Sequence, residues 1–347
     1  MEKITEIIPN DKIAMYDLVH RYFGDKKVCM FDIETTGLSP LKSFTYIIGI
    51  NIFEEGSWKI IQLFNDDGRS EPEMIRNLHS ILEEMDILIE FNGDTFDIPY
   101  IEKRMDTVER KYHISMVNNF SKVESFDLLK NIRPYKNSLG LPNLKQKTIE
   151  RYIGLNRVDM YNGGQLIDVY LGYLASGDKK SRELVLRHNR DDMEGMIYLS
   201  STLGYNLMCS GDLEITGMNT RVRPNSSVLR FEVDFKLGFE LVRPVAAMMD
   251  QTDLDIDGKN GKISIPVSEG ALRYYYGTSE KDGYEEAAGY FVPGPLKVPD
   301  KITVYKEKAR DKAGFVMLND AFLGTKSLLK EYITAYISEI MHYRRSR

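Results

Sequence analysis

The chain has 347 residues, 42% of them hydrophobic and 28% charged, which excludes a disordered or fibrous polypeptide and leaves room for two domains. A net charge of −6 excludes a protein that coats nucleic acid by bulk electrostatics, since neutralising phosphates needs a basic surface. No run approaches the ~18 apolar residues of a membrane span.

The start, MEKITEIIPNDK, lacks the basic and apolar segments of a signal peptide, and the two cysteines, Cys29 and Cys209, build neither a metal cluster nor a disulfide framework. These features predict a cytoplasmic protein without membrane contact. Residues 1–24 read as an N-terminal helical extension. KVCMFDI from Lys27 reads as a buried strand, followed by two more strands, FTYIIGINIF from Phe44 and WKIIQLF from Trp58. Glu55-Gly56 and Asp66-Asp67-Gly68 supply the turns of an antiparallel meander. Apolar Met74, Ile75, Leu78, Ile81, Leu82 and Met85 recur at helical spacing from Glu71 to Met85, and ILIEF from Ile87 reads as a fourth buried strand. A helix beginning near Phe96 follows FNGD, and ELVLRHNRDDMEGMIYL reads as a further helix. From about Gly211 the texture becomes strand-like: VLRFEVDFKL, then DLDID and KISIPV with an Asn260-Gly261 hairpin turn between them. A tyrosine-rich stretch around Tyr274 to Tyr276, the Pro/Gly-punctuated FVPGPLKVP and a helix from about Thr325 to Tyr343 complete the chain.

Three segments carry chemistry. Asp32 and Glu34 stand two apart at a strand end, so both carboxylates face the same way and can hold a hard divalent ion. The plain alternative is an acidic strand end, and only the longer run FDIETTGL is specific. Asp97 falls in the first turn of the helix after FNGDTFDIPYIEKR, where a carboxylate is also favoured simply by the helix dipole. Leu184, His188, Asp192, Met196 and Leu199 share one helix face, and a His and an Asp in an apolar stripe need a reason for burial. A hydrogen-bonded core pair is the modest reading of those two, and Asp191, beside Arg187, reads as a surface charge.

Taken together, DIETTGL, NGDTFD and HNRDD resemble the three motifs of the DEDD exonuclease superfamily. The second is similar to the proofreading exonuclease segment of B-family DNA polymerases. NLKQKTIERYIGLNR, YNGGQLIDVYLGYLASGD and the HN…D helix resemble bacterial YprB-like RNase H-like exonucleases. The resemblance spans about residues 28–200 and stops short of the C-terminal third. It implies an α/β fold, an RNase H-like mixed sheet with flanking helices, in agreement with the strand, strand, strand, helix, strand, helix order within residues 25–210, while the strand-like texture of 211–347 reads as a β-rich accessory region with a terminal helix.

It further implies a 3′–5′ exonuclease releasing nucleoside monophosphates from single-stranded DNA or RNA ends. Asp32, Glu34, Asp97 and Asp192 would hold two Mg2+ or Mn2+ ions about 3.5–4 Å apart. Thr35, Thr36, Gly37, Leu38, Asn92 and Phe96 would touch substrate, and His188 would position or deprotonate the attacking water. The chain departs from the family in one respect. The assisting residue stands four before the last Asp in the tyrosine subgroup and five before it in the histidine subgroup, whereas His188 stands four before Asp192. Were Asp191 the ligand, those positions would hold Arg187 and Leu186, so Asp192 is preferred.

Lys103, Arg104, Arg133, Lys136, Lys145, Lys147 and Arg151, with Tyr135 and Tyr152, are candidates for phosphate and base contacts, although for any one of them a solvated helix face is the preferred reading. Two other functions stand beside this one: a structure-specific endonuclease, which uses the same metal chemistry, and a non-catalytic nucleic-acid-binding module, which would usually show a broken acidic set whereas all four acids are present here. A proofreading subunit would need a polymerase partner. The C-terminal region is the candidate surface for a protein partner or self-association.

Overall fold

The computed structural model describes residues 1–10, 17–157, 163–222 and 227–343, and the chain divides into two compact units: residues 1–133 with 143–203, and residues 134–142 with 204–347. In the first unit a six-stranded mixed sheet has the order β1-β4-β3-β2-β5-β6, with β1 at Glu2–Ile8, β2 at Val28–Thr35, β3 at Thr45–Glu54, β4 at Ser57–Phe64, β5 at Ile87–Glu90 and β6 at Glu124–Asp127. Strands β1 to β4 pair antiparallel, whereas β5 runs parallel to both β2 and β6. The meander forms as the turn residues require, with Glu55 and Gly56 at positive φ between β3 and β4.

The opening segment is a correction to the helical reading. Glu2–Ile8 pairs along the whole of β4, from Glu2 opposite Phe64 to Ile8 opposite Trp58. Its β-branched Ile4, Thr5, Ile7 and Ile8 suit a pleated edge, and Arg182 and Arg190 pair with Glu2 and Glu6. Helical character in residues 17–24 is confined to Val19–Phe23; residues 11–16 of that reading lie outside the described residues.

The two faces of the sheet carry different layers because side chains alternate along each strand. Cys29, Phe31 and Ile33 of β2, Ile48, Ile50 and Ile52 of β3, and Ile61 and Leu63 of β4 pack with α1 (Glu71–Leu82) and α2 (Asp97–Tyr112). The opposite face of the sheet meets α5 (Gly163–Ser176) and α6 (Lys179–Leu199), preceded in the chain by α3 (Leu128–Ile132) and α4 (Gln146–Ile153). Gly49 of β3 makes this docking possible, since a Cβ there would lie 2.6 Å from both Asn189 Oδ1 and Met193 Cγ of α6.

The second unit holds a five-stranded antiparallel sheet of order β7-β8-β11-β10-β9 and a three-stranded sheet of order β12-β13-β14, with α7 (Lys326–His342) packed on β7 and β9. Here β7 is Leu213–Val222, β8 Leu229–Leu237, β9 Val245–Met249, β10 Thr252–Asp257, β11 Asn260–Pro266, β12 Ser268–Tyr275, β13 Tyr284–Pro293 and β14 Phe315–Met317. The hairpin between DLDID and KISIPV exists, but its turn is Gly258-Lys259, not Asn260-Gly261. Asp257 pairs with Asn260, and Gly258 carries the positive φ. Gly261 serves packing instead, because a Cβ there would overlap the Phe235 ring across the strand pair.

Candidate metal centre

Alternation places Asp32 and Glu34 on the sheet face that α6 crosses. Asn189, fully buried on α6, donates from Nδ2 to Asp32 Oδ2 at 3.3 Å, and its Oδ1 accepts from Gln62 Nε2 of β4 at 3.0 Å. Gln62 Nε2 also donates to Leu186 O at 2.8 Å, and Asn51 Nδ2 to Met193 O at 2.7 Å, so the sheet grips the helix backbone on both sides of Asn189. On the next turns His188 Nε2 lies 3.5 Å from Glu34 Oε1 and 3.2 Å from Asp192 Oδ2. One ligand atom from each of Glu34, His188 and Asp192 lies within 4.8 Å of the others.

Asp97 reaches this cluster from the other layer. β5 stops at Glu90 while β2 runs on to Thr35, and in that overhanging stretch the Ile33 amide donates to Asp97 Oδ1 at 3.2 Å. A backbone N–H beyond the β2–β5 pairing thereby donates to the first residue of α2.

Electrostatics express the crowding. Burial, then the charges of Asp97, Glu34 and Asp192, hold the Asp32 carboxyl well above the usual carboxylate range, against the Asn189 hydrogen bond. Burial and then Asp192 push Glu34 up to about 8, while Tyr46 OH, donating to Glu34 Oε2 at 3.4 Å, works the other way. Burial raises Asp97 to about 6 despite the Ile33 amide. Burial lowers His188 against the pull of Asp192, favouring the neutral imidazole.

The Thr35–Leu38 segment lies beside these acids. Thr35 Oγ1 donates to Gly37 O at 3.0 Å, Thr36 Oγ1 to Phe44 O at 3.2 Å, and Leu38 stands 84% exposed at the tip. Asn92 is exposed at positive φ (66°), and Phe96 packs on Tyr100 with ring centroids 5.4 Å apart. Asp191 pairs instead with Arg187 and Arg190.

Two candidates for nucleic-acid contact are corrections. Arg104 is buried and clamps Glu71 through Nε at 2.9 Å and Nη2 at 2.6 Å, with Nη1 on Pro40 O, so its donors are spent inside the fold. Tyr135 is buried and stacked on His342 in the second unit. Lys147, half-buried on α4, does act electrostatically on both Glu34 and His188. The face of α6 also differs from the expected stripe: Val185, Asn189, Met193 and Met196 are buried, and His188 and Asp192 flank them, half-buried.

Sequence reasoning did not single out Arg157, whose Nη2 lies 2.8 Å from Asp192 Oδ1 and which also binds both oxygens of buried Glu150. It follows α4 in an irregular stretch where no periodicity marks it. Asn189 stood inside HNRDD, and only its burial beside a carboxylate reveals its part.

An RNase H superfamily model matches residues 29–204. Similar proteins include DNA polymerases of Thermococcus sp. (strain 9oN-7) and Desulfurococcus sp. (strain Tok), each 31% identical, over 113 and 117 residues. Each match covers 29% of this chain and spans 14% of the polymerase's length. Among solved structures, the family B DNA polymerase of the archaeon Pyrobaculum calidifontis aligns with 91% of this chain and 46% of its own at 12% identity and TM-score 0.43. An E. coli exonuclease I complex with single-stranded DNA aligns with 59% of this chain and 54% of its own at 12% identity and TM-score 0.28. The match over residues 29–204, a stretch that holds Asp32, Glu34, Asp97 and Asp192, establishes that the chain belongs to the RNase H superfamily.

Proposed function

We propose that the chain is a divalent-metal-dependent nuclease that hydrolyses phosphodiester bonds, acting as a 3′–5′ exonuclease on single-stranded ends. The observation that carries this reading is the meeting of Asp32 and Glu34 on β2, Asp97 at the start of α2, and His188 and Asp192 on α6 around one half-buried point. The donor set fits hard divalent ions: Asp32 and Glu34, raised first by burial and then by the carboxylates beside them, are short of positive charge, and one imidazole stands next to them. Two Mg2+ or Mn2+ ions bound there would supply a polarised water and charge neutralisation at the leaving 3′ oxygen.

The protein's own residues do the rest. Asn189, Tyr46 and Arg157 orient Asp32, Glu34 and Asp192 respectively, so the carboxylates are held before any ion or substrate arrives. In this reading His188, whose burial favours the neutral imidazole, would accept a proton from the attacking water. The exposed Leu38 and the Thr35–Gly37 backbone offer a surface for the terminal nucleotide, and Asn92 and Phe96 a second one.

The test is incubation of the purified chain with end-labelled single- and double-stranded DNA and RNA, with Mg2+, Mn2+ or EDTA. Mononucleotides released from 3′ ends only with metal are expected. Cleavage of end-blocked circles would point to an endonuclease, and binding without cleavage under every metal would reject the enzyme. Within an active protein, His188→Tyr is expected to keep more activity than His188→Ala; equal rates and pH profiles among these and wild type would reduce His188 to a packing residue.

A further inference from the structure

A second group of carboxylates lies under the loop that leads to Asp97. Glu90 ends β5 and Asp127 ends β6, and they are register partners in a parallel pair, so both reach the same end of the sheet. Asp94, in the connecting loop, comes back over them. One oxygen from each of the three lies within 4.8 Å of the others.

The hydrogen bonds around these groups are unevenly spread. Asp127 Oδ1 accepts from the amides of Asn92 at 3.1 Å, Leu129 at 2.7 Å and Lys130 at 3.2 Å, and Glu90 Oε2 accepts from the Gly93 amide. Asp94 takes the Ser125 hydroxyl at 2.6 Å and the Lys130 ammonium. Glu90 Oε1 and Asp127 Oδ2 are left buried with no donor, on side chains that are 0% and 4% exposed. A buried carboxylate oxygen without a partner is costly, and two beside each other are costlier still. Three carboxylates and one ammonium leave two net negative charges, which one divalent cation neutralises.

We propose that Glu90, Asp94 and Asp127 form a second divalent-cation site, separate from the Asp32–Glu34–Asp97–Asp192 cluster, where a hard ion ties the loop over 91–96 to the ends of β5 and β6. The loop is shaped for this. Asn92 adopts a positive φ (66°), which turns the chain so that its own amide and that of Gly93 point at the two acids. Gly93 leaves room for Glu90, because a Cβ there would lie 2.9 Å from Glu90 Cβ and 3.0 Å from its Oε2. Burial first, then Asp127, pushes Glu90 up to about 8, the mark of a site short of positive charge. The rival occupant is a proton shared between Glu90 and Asp127, which would satisfy the same two oxygens without any metal.

The experiment separates these occupants. Full-length D32N/D192N protein, stripped with chelator, is titrated calorimetrically with Ca2+ and, separately, Mn2+ near neutral pH, and its thermal midpoint is followed against ion concentration. One ion bound per chain and a rising midpoint are expected, both lost when E90Q and D127N are added. Circular dichroism checks that the added substitutions leave the fold intact; should they not, D94N, at the partly exposed ligand, is expected to weaken binding about tenfold or more. No binding by D32N/D192N, or binding unchanged by E90Q/D127N or D94N, overturns the site and leaves the shared proton in its place. Cleavage activity enters none of these readouts, so the outcome is independent of the nuclease reading.

Discussion

Asp32 bears a heavy electrostatic load, because burial and three neighbouring carboxylates all oppose its ionisation. A carboxyl whose pKa is raised on folding binds its proton more tightly in the native state, so the metal-free protein loses stability as pH climbs above the ordinary carboxylate range. Asp32→Asn removes that charge at constant volume. It is expected to raise the metal-free melting temperature at neutral pH and to lower cleavage by more than about a hundredfold. Melting scans with EDTA and initial rates with Mg2+ check the two halves; wild-type activity would dismantle the four-carboxylate site. His79 behaves in the opposite sense. It is 3% exposed, its Nδ1 accepts the Asn119 amide at 3.1 Å, and burial lowers its pKa to about 4. The neutral ring stabilises the fold fully above the unfolded value of ~6.5, and this contribution is lost as pH falls from there through about 4. It amounts to roughly 3 kcal/mol. Denaturant unfolding of wild type and His79→Leu across that window is expected to show a steeper acid loss in wild type; parallel curves would mean that His79 titrates freely. Neither property was legible from sequence, where His79 is one more residue on an amphipathic helix.

The decisive contact between elements is α6 on the sheet. Gly49 faces Asn189 and Met193, so Gly49→Ala drives a methyl into a well-packed contact and is expected to cost about 1–3 kcal/mol. It also displaces Asn189 from Asp32, so activity should fall with stability. Equilibrium unfolding checks the first effect, and wild-type stability would show that α6 shifts freely to make room. The elements themselves were largely legible. The strands β2 to β5, α1 and α6 follow from alternation, helical spacing and turn residues close to where they occur. β1 was not, since a short edge strand earns its conformation from pairing with β4 and from the Arg182 and Arg190 contacts, all remote in sequence. The Asn260-Gly261 turn failed for a similar reason: a glycine was required opposite Phe235, and that requirement comes from β8 rather than from the turn.

For the whole molecule, the division of the chain cuts across its linear order. Residues 134–142 leave the first unit and belong with 204–347, where Tyr135 stacks on His342 and Ser138 Oγ donates to Met341 O at 2.6 Å. A fragment of residues 1–203 therefore keeps the six-stranded sheet and all four acids but strips 134–142 of these partners. It is expected to unfold cooperatively and yet be cut by protease within 134–142, where the full chain resists; equal resistance would place the supports of that segment inside the first unit. Among the described residues no helix is long and apolar enough to cross a membrane. Sequence by itself determined that Asp32 and Glu34 share a strand face, that His188 and Asp192 share a helix face and that Asp97 opens a helix, because periods of 2 and 3.6 are local properties of the backbone. Only the tertiary structure decided that these faces meet. Asn189 reaches Asp32 across 157 residues, Asp97 reaches Ile33 across 64, and Arg157 meets Asp192 from an irregular segment. Such contacts depend on strand order and helix docking, which the packing of the whole unit selects and no local pattern encodes.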